Sequence, residues 1–249
     1  MPRKLPIFFV LFPSVFILLS LIACDRITSQ DTVPPVLLET APEDTFGERG
    51  IDAVPQGDWI RIEWIVGQEE DLAGYDIYRR AEDEAAVSLI LTLPTEQIEQ
   101  VSPDTAFWHD KSVRLLVRYF YRLRAFDSSG NRSNFSSTVD YKLLPKLFPI
   151  RPKGETEQEA LEFQFQWGDN PEEITSYIIR LLDSESNIFW ISEPVVPMGY
   201  EENVVVEYNF DGKATAPVLL PGSYRWRVDT TGAEERSGSE SRWTEFSVK

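Results

Sequence analysis

Apolar and polar side chains alternate with period two along much of this chain, and the same runs return about a hundred residues later. Ile60, Ile62 and Trp64 fall on one face of an extended backbone while Arg61 and Glu63 fall on the other, the signature of a half-buried strand. Tyr75 and Ile77 follow, with Asp76 and Tyr78 opposite. Tyr119, Tyr121, Leu123 and Ala125 then share a face against Arg122 and Arg124. After a break at Leu144 to Gly154, which holds Pro145, Pro149 and Pro152, the pattern resumes. Leu161, Phe163, Phe165 and Trp167 alternate with Glu162, Gln164 and Gln166. Tyr177, Ile179 and Leu181 come next, and Tyr224, Trp226 and Val228 alternate with Arg225 and Arg227. The offset is 103 residues from Trp64 to Trp167, 102 from Tyr75 to Tyr177 and 105 from Tyr121 to Trp226. No amphipathic helix is apparent beyond the N-terminal segment.

These spacings predict an all-β chain of two tandem β-sandwiches over 36–144 and 145–249. With 42% apolar residues and seven Trp, both have enough bulk for a core. Units of about a hundred residues with short alternating strands and an early buried Trp have the size and pattern of an immunoglobulin-like sandwich. Ile60-Arg61-Ile62-Glu63-Trp64, Gly74-Tyr75-Asp76-Ile77-Tyr78-Arg79, Trp108-His109-Asp110 and the run Tyr119 to Asp127 resemble strand regions of bacterial fibronectin type III domains. Ser128-Ser129-Gly130-Asn131-Arg132-Ser133 is similar to that family's turn into its last strand. Residues 147 to 249 resemble a more divergent copy, through Phe165-Gln166-Trp167, Tyr177-Ile178-Ile179-Arg180 and the run Gly222 to Val228. The second copy lacks the Ala-Phe-Asp and Gly-Asn turn signature, and its segment Glu193 to Pro217 is longer than its counterpart.

The N-terminus reads as an export signal: basic Arg3 and Lys4, an apolar stretch from Ile7 to Ile22, then small Ala23. Leu21-Ile22-Ala23-Cys24 resembles the lipobox of bacterial lipoproteins. That resemblance implies cleavage of a signal peptide (1–23) and acylation of Cys24, palmitate or a similar chain binding the mature protein to membrane lipid in the cell envelope. The apolar run is interrupted by Pro13 and short of the roughly 20 residues needed to span a bilayer, which argues against an uncleaved anchor. Asp25 resembles an inner-membrane retention signal, and the leaflet stays open. Residues 24–35 form a polar tether ending in Pro34-Pro35. The net charge of −17 grows more negative by two when Arg3 and Lys4 leave, a field that repels phosphate backbones and argues against nucleic-acid binding. With its single cysteine acylated, the chain has no disulfide.

Little in the chain is arranged for chemistry. His109 is the sole histidine, so a nucleophile–base–acid constellation would have to be built around it, and one histidine with a lipidated cysteine makes no zinc site. Glu69-Glu70-Asp71 and Glu172-Glu173 sit in loops, with no apolar pocket to tune one of them as a general acid. Asp127, Ser129 and Asn131 alternate around Gly130 like part of a calcium loop, but the bidentate glutamate is missing and a tight turn accounts for them. No catalytic residue, metal or cofactor is expected. Trp59, Phe120, Phe126 and Trp190 are not used by the inward pattern and are the candidate ligand-contact rings. The expected protein is a non-enzymatic, lipid-anchored binding or spacer module with a protein or glycan partner. The alternative is a carbohydrate-binding accessory lipoprotein of a polysaccharide-degrading system.

Overall fold

A computed structural model describes residues 32–41, 48–156, 162–200 and 203–249, and in it each alternating run lies on a strand. The expected signal peptide, Cys24 and most of the expected tether lie outside the described residues, as does Leu161. At the tether's end, Pro35 is buried and the Val33 N–H donates to Glu69 Oε1 (3.1 Å), so the chain is already fastened to the first sandwich there.

The first sandwich contains β1 (Val36–Leu37), β2 (Asp52–Val54), β3 (Gly57–Ile65), β4 (Leu72–Ala81), β5 (Ser88–Pro94), β6 (Glu99–Ser102), β7 (Thr105–Asp110), β8 (Arg118–Asp127) and β9 (Val139–Leu143). One sheet runs β1-β3-β7-β6 with β2 beside β3, and the other β9-β8-β4-β5. Setting aside β2 and β5 as additions to the two sheets, β1, β3, β7 and β6 correspond to the first, second, fifth and fourth strands of an immunoglobulin-like sandwich and β4, β8 and β9 to its third, sixth and seventh. The second sandwich contains β10 (Phe148–Arg151), β11 (Gly154–Thr156), β12 (Glu162–Gln166), β13 (Ile174–Asp183), β14 (Ile188–Ile191), β15 (Asn203–Glu207), β16 (Gly222–Gly232), β17 (Ser237–Glu240) and β18 (Thr244–Val248). Here β10-β12-β15 faces β14-β13-β16-β18. The chain is all-β; no α-helix occurs among the described residues, only 3₁₀ turns at Thr95–Gln97 and Pro171–Glu173.

Strand register carries the repeat into three dimensions. On β4 and β8, Tyr75 faces Ala125, Ile77 faces Leu123 and Arg79 faces Tyr121. On β13 and β16, Tyr177 faces Thr230, Ile179 faces Val228 and Leu181 faces Trp226. Laying Tyr75 on Tyr177 therefore brings Tyr121 onto Trp226. The Trp64 ring stands edge-on to Tyr75 at 5.3 Å, and Trp167 stands edge-on to Tyr177 at 6.0 Å.

Two apolar clusters result, one ending with Leu143 and the other beginning with Leu144. In the second, Phe163 packs between Trp190, Trp226 and Phe246 at centroid distances of 5.7, 4.9 and 6.4 Å. The Asp127 turn is closed by its own side chain: the carboxylate accepts the Ser129 and Asn131 N–H groups (2.9 and 2.8 Å) and the Asn131 amide (2.8 Å). These bonds hold the Asp127 carboxyl below the usual range, the Asn131 side chain contributing most.

Three polar residues expected to face water are buried. Glu63 lies under the loop that leads into β2, where it accepts the Gly50 N–H (2.8 Å) and pairs with Arg61. Asp76 pairs with Arg132 (2.6 Å) and accepts the Thr92 hydroxyl (2.7 Å). Arg227 is covered by the neighbouring sandwich. Truncating a buried aromatic removes its transfer energy and leaves a cavity, so Phe163→Ala is expected to cost about 3–5 kcal/mol. Urea denaturation followed by tryptophan fluorescence checks this.

Candidate functional site

The segment joining the sandwiches is not a free linker. Leu144, Pro145 and Leu147 are buried, and the Lys146 ammonium donates to the Val54 carbonyl (2.5 Å). Burial pushes the Lys146 amine down to about 8. Strand β9 pairs in parallel with β17, the Lys142 N–H donating to Arg236 O (3.0 Å) and the Leu144 N–H to Gly238 O (2.9 Å). One sheet thus runs through both sandwiches. Gly238 is tightly packed at this junction: an added Cβ would lie 2.4 Å from Thr230 O of β16 and 3.0 Å from the Tyr141 hydroxyl of the first sandwich.

Against this sheet lies a buried charge cluster. Arg180 and Arg227 are directly opposed on β13 and β16, an unfavourable pairing of like charges unless acids lie between them. Arg227, only 1% exposed, holds Glu240 through two bonds of 2.8 Å, meets Asp229 (2.8 Å) and pairs with Glu48 from the first sandwich. Arg180 joins through Asp229 (2.5 Å) and Glu48 (3.3 Å). The guanidinium groups of Arg225 and Arg227 also cover the Trp243 ring, 4.9 and 4.8 Å from its centroid. Nearer the surface, Arg118 reaches Asp140 and Glu234 (3.1 Å), and Lys142 reaches Glu234 (3.1 Å) and Glu173 (3.4 Å).

Burial raises the carboxyl pKa values of Glu48 and Glu240, with Arg227 opposing the shift in both. Asp52, hydrogen-bonded to Tyr141, is pushed to about 6, first by burial and then by the nearby charges of Glu48 and Asp229. A cavity of about 760 Å³ opens beside these acids, and a cleft of about 920 Å³ is lined by Lys146, Phe148, Arg242 and Trp243. Oxygens of Glu48, Asp229 and Glu240 come within 4.8 Å of one another. Two guanidiniums already supply the positive charge a cation would bring, so the arrangement works as a clamp between sandwiches.

The candidate rings are dispersed. Trp59 is half-buried, with Lys111 Nζ 4.2 Å from its ring centroid and His109 at 5.8 Å. His109 also touches Phe107 (5.2 Å), and burial holds its imidazole below the usual range, helped by Arg61 and Lys111. Phe120 carries Arg80 at 4.4 Å, and Phe126 packs over Gly74 with Arg132 at 5.7 Å. Trp190 corrects the expectation of an exposed ring: it is 1% exposed in the second core, its indole N–H donating to Asp211 (3.0 Å). The reason lies in the pairing. Trp190 is the cross-strand partner of inward-facing Leu181, and directly opposed residues share a face. Cys24 lies outside the described residues.

Sequence reasoning missed Glu48, Asp52, Arg180, Asp229 and Glu240. The available signal was charge at alternating positions Arg225, Arg227 and Asp229 of β16 and Arg180 within apolar β13, and its meaning depends on knowing that those strands pair.

No protein-family model matches the chain, and no curated protein matches it in sequence. Among solved structures it is similar to the FN1–FN3 domains of chicken CNTN1, with 12% identity over 86% of this chain and 66% of that one, at a TM-score of 0.29. It is also similar to a two-domain fibronectin type III segment of chicken tenascin, with 11% identity over 81% and 98% of the two chains, at a TM-score of 0.31. The class rests on strand order: two tandem immunoglobulin-like β-sandwiches.

Removing one partner of a buried ion cluster leaves uncompensated charge, so Arg227→Met is expected to cost about 3–5 kcal/mol. A single urea transition that moves to lower concentration is the check. Asp52 gives a pH-dependent counterpart. Its folded pKa lies above its ordinary 3.8, so its contribution is fully present below about 4 and is lost as pH rises through 6. Asp52→Asn, which cannot ionise, is expected to be more stable than the parent by about 2–3 kcal/mol at pH 7.5 and equal to it at pH 4. Thermal melts at the two pH values measure this.

Proposed function

We propose that the chain is a lipid-anchored, non-catalytic protein of the bacterial cell envelope, in which two fibronectin type III-like sandwiches act as a stiff spacer and present binding surfaces. One observation carries the spacer reading: the junction is a shared sheet backed by the Arg227 ion cluster, where a flexible linker would let the two bodies swing. The anchor reading is supported by Leu21-Ile22-Ala23-Cys24 following an apolar run with a basic start. Acylation of Cys24 by two or more chains gives durable membrane attachment, whereas a single chain holds only marginally. The partner is a protein at the same envelope surface. A glycan-binding role has less support, because Trp59 and Phe120 carry cations close over their rings and Trp190 is buried.

The test has two arms. Spin labels at Glu96→Cys and Glu185→Cys on a Cys24→Ser background are expected to give one narrow distance distribution, broadened by Gly238→Val. A broad distribution without that substitution would rule out the spacer. Mass spectrometry of the native product is expected to find an acylated Cys24 at the N-terminus, and a free thiol there would rule out the anchor.

A further inference from the structure

Strand β15 ends the sheet β10-β12-β15, and among the described residues only β12 hydrogen-bonds to it. Its counterpart in the first sandwich, β7, has that outer edge covered by β6, itself a short strand with a glutamate and a register shift. Native sheets blunt open edges with proline, lysine or bulges. Asn203-Val204-Val205-Val206-Glu207 has no proline, lysine or bulge, its register with β12 is unbroken, and its one charge is Glu207 at the end of the strand.

The exposed face at this edge has a definite chemical character. Glu207 stands directly opposite Glu162 on β12, an unfavourable pairing of like charges. Glu162 meets Arg151 at 3.5 Å, while Glu207 has no ion pair among the described residues. Two positions along, Val205 is 47% exposed. The loop that follows holds Phe210, Val218 and Leu220 exposed, the last at 63%, and Val196 and Met198 are exposed on the segment before it. Half of the large exposed apolar side chains among the described residues fall within 196–220, the stretch overlapping the segment that exceeds its counterpart in the first copy.

We propose that the open edge of β15 takes up an extended basic segment of a partner protein as an added strand, its backbone completing the ladder. An apolar side chain of that segment lies beside Val205, and a lysine or arginine lies beside Glu207, on the side away from Glu162. The net charge of −17 opposes a second copy of this chain as occupant, and equally an anionic membrane surface. This inference rests on the binding half of the reading above. Its readout is independent of the interdomain distances and the anchor mass, so either can fail alone.

The experiment titrates the intact chain with a labelled peptide alternating valine and lysine. Two control peptides carry either N-methyl groups on alternate backbone nitrogens or glutamate in place of lysine. Saturable binding is expected for the first peptide, weakened at least about tenfold by either change. Glu207→Lys is expected to lose the lysine peptide and gain the glutamate peptide. Amides of Asn203–Glu207 are expected to gain hydrogen-exchange protection when the lysine peptide is bound. Because Glu207 is exposed, this variant leaves the cores intact, and its unchanged circular dichroism confirms that the loss is local. Equal binding of the N-methylated peptide, indifference to Glu207→Lys, or no binding at all would each overturn the proposal. So would self-association through β15 detected by light scattering.

Discussion

Arg227 is the residue on which the architecture turns. An arginine that is 1% exposed persists only if its charge is met, and here Glu48, Asp229 and Glu240 surround it. Those acids come from three places: the stretch before β2 in the first sandwich, the same strand β16, and β17. The clamp therefore forms only when both sandwiches are folded and β17 lies against β9. Its cost is the burial and then the crowding of carboxylates, visible in the raised pKa of Asp52. The junction gains orientation more than raw stability, since ion pairs taken from water return little net energy against an apolar alternative.

Much of the fold was legible because period-two alternation is a local property. Each of the runs around Trp64, Tyr75, Tyr121, Phe165, Tyr177 and Trp226 announces which side faces the core, and on β8 burial alternates residue by residue as the sequence implies. Trp190 was misread because β14 has only four residues, too few to show a period, and its face is set by pairing with Leu181. Glu63 and Asp76 were misplaced for another reason. A carboxylate on the outward side of a strand looks the same in sequence whether water or a paired cation covers it.

The junction was illegible on both counts. Glu48 and Arg227 are 179 positions apart, and nothing local distinguishes an arginine destined for solvent from one destined for a neighbouring body. The open edge of β15 was hidden too. Three successive valines do not reveal a face, and an edge is defined by the strand that does not lie beside it.

Tandem sandwiches are often treated as interchangeable beads, duplicated, deleted or reordered along a string. The close approach at Gly238 restricts that freedom here, because an added Cβ collides with the Thr230 carbonyl of its own sandwich and crowds the Tyr141 hydroxyl of the other. Recombination that swapped either half for a foreign one would need a hydrogen atom at that point and matching acids around it. At this junction the two halves are shaped to each other.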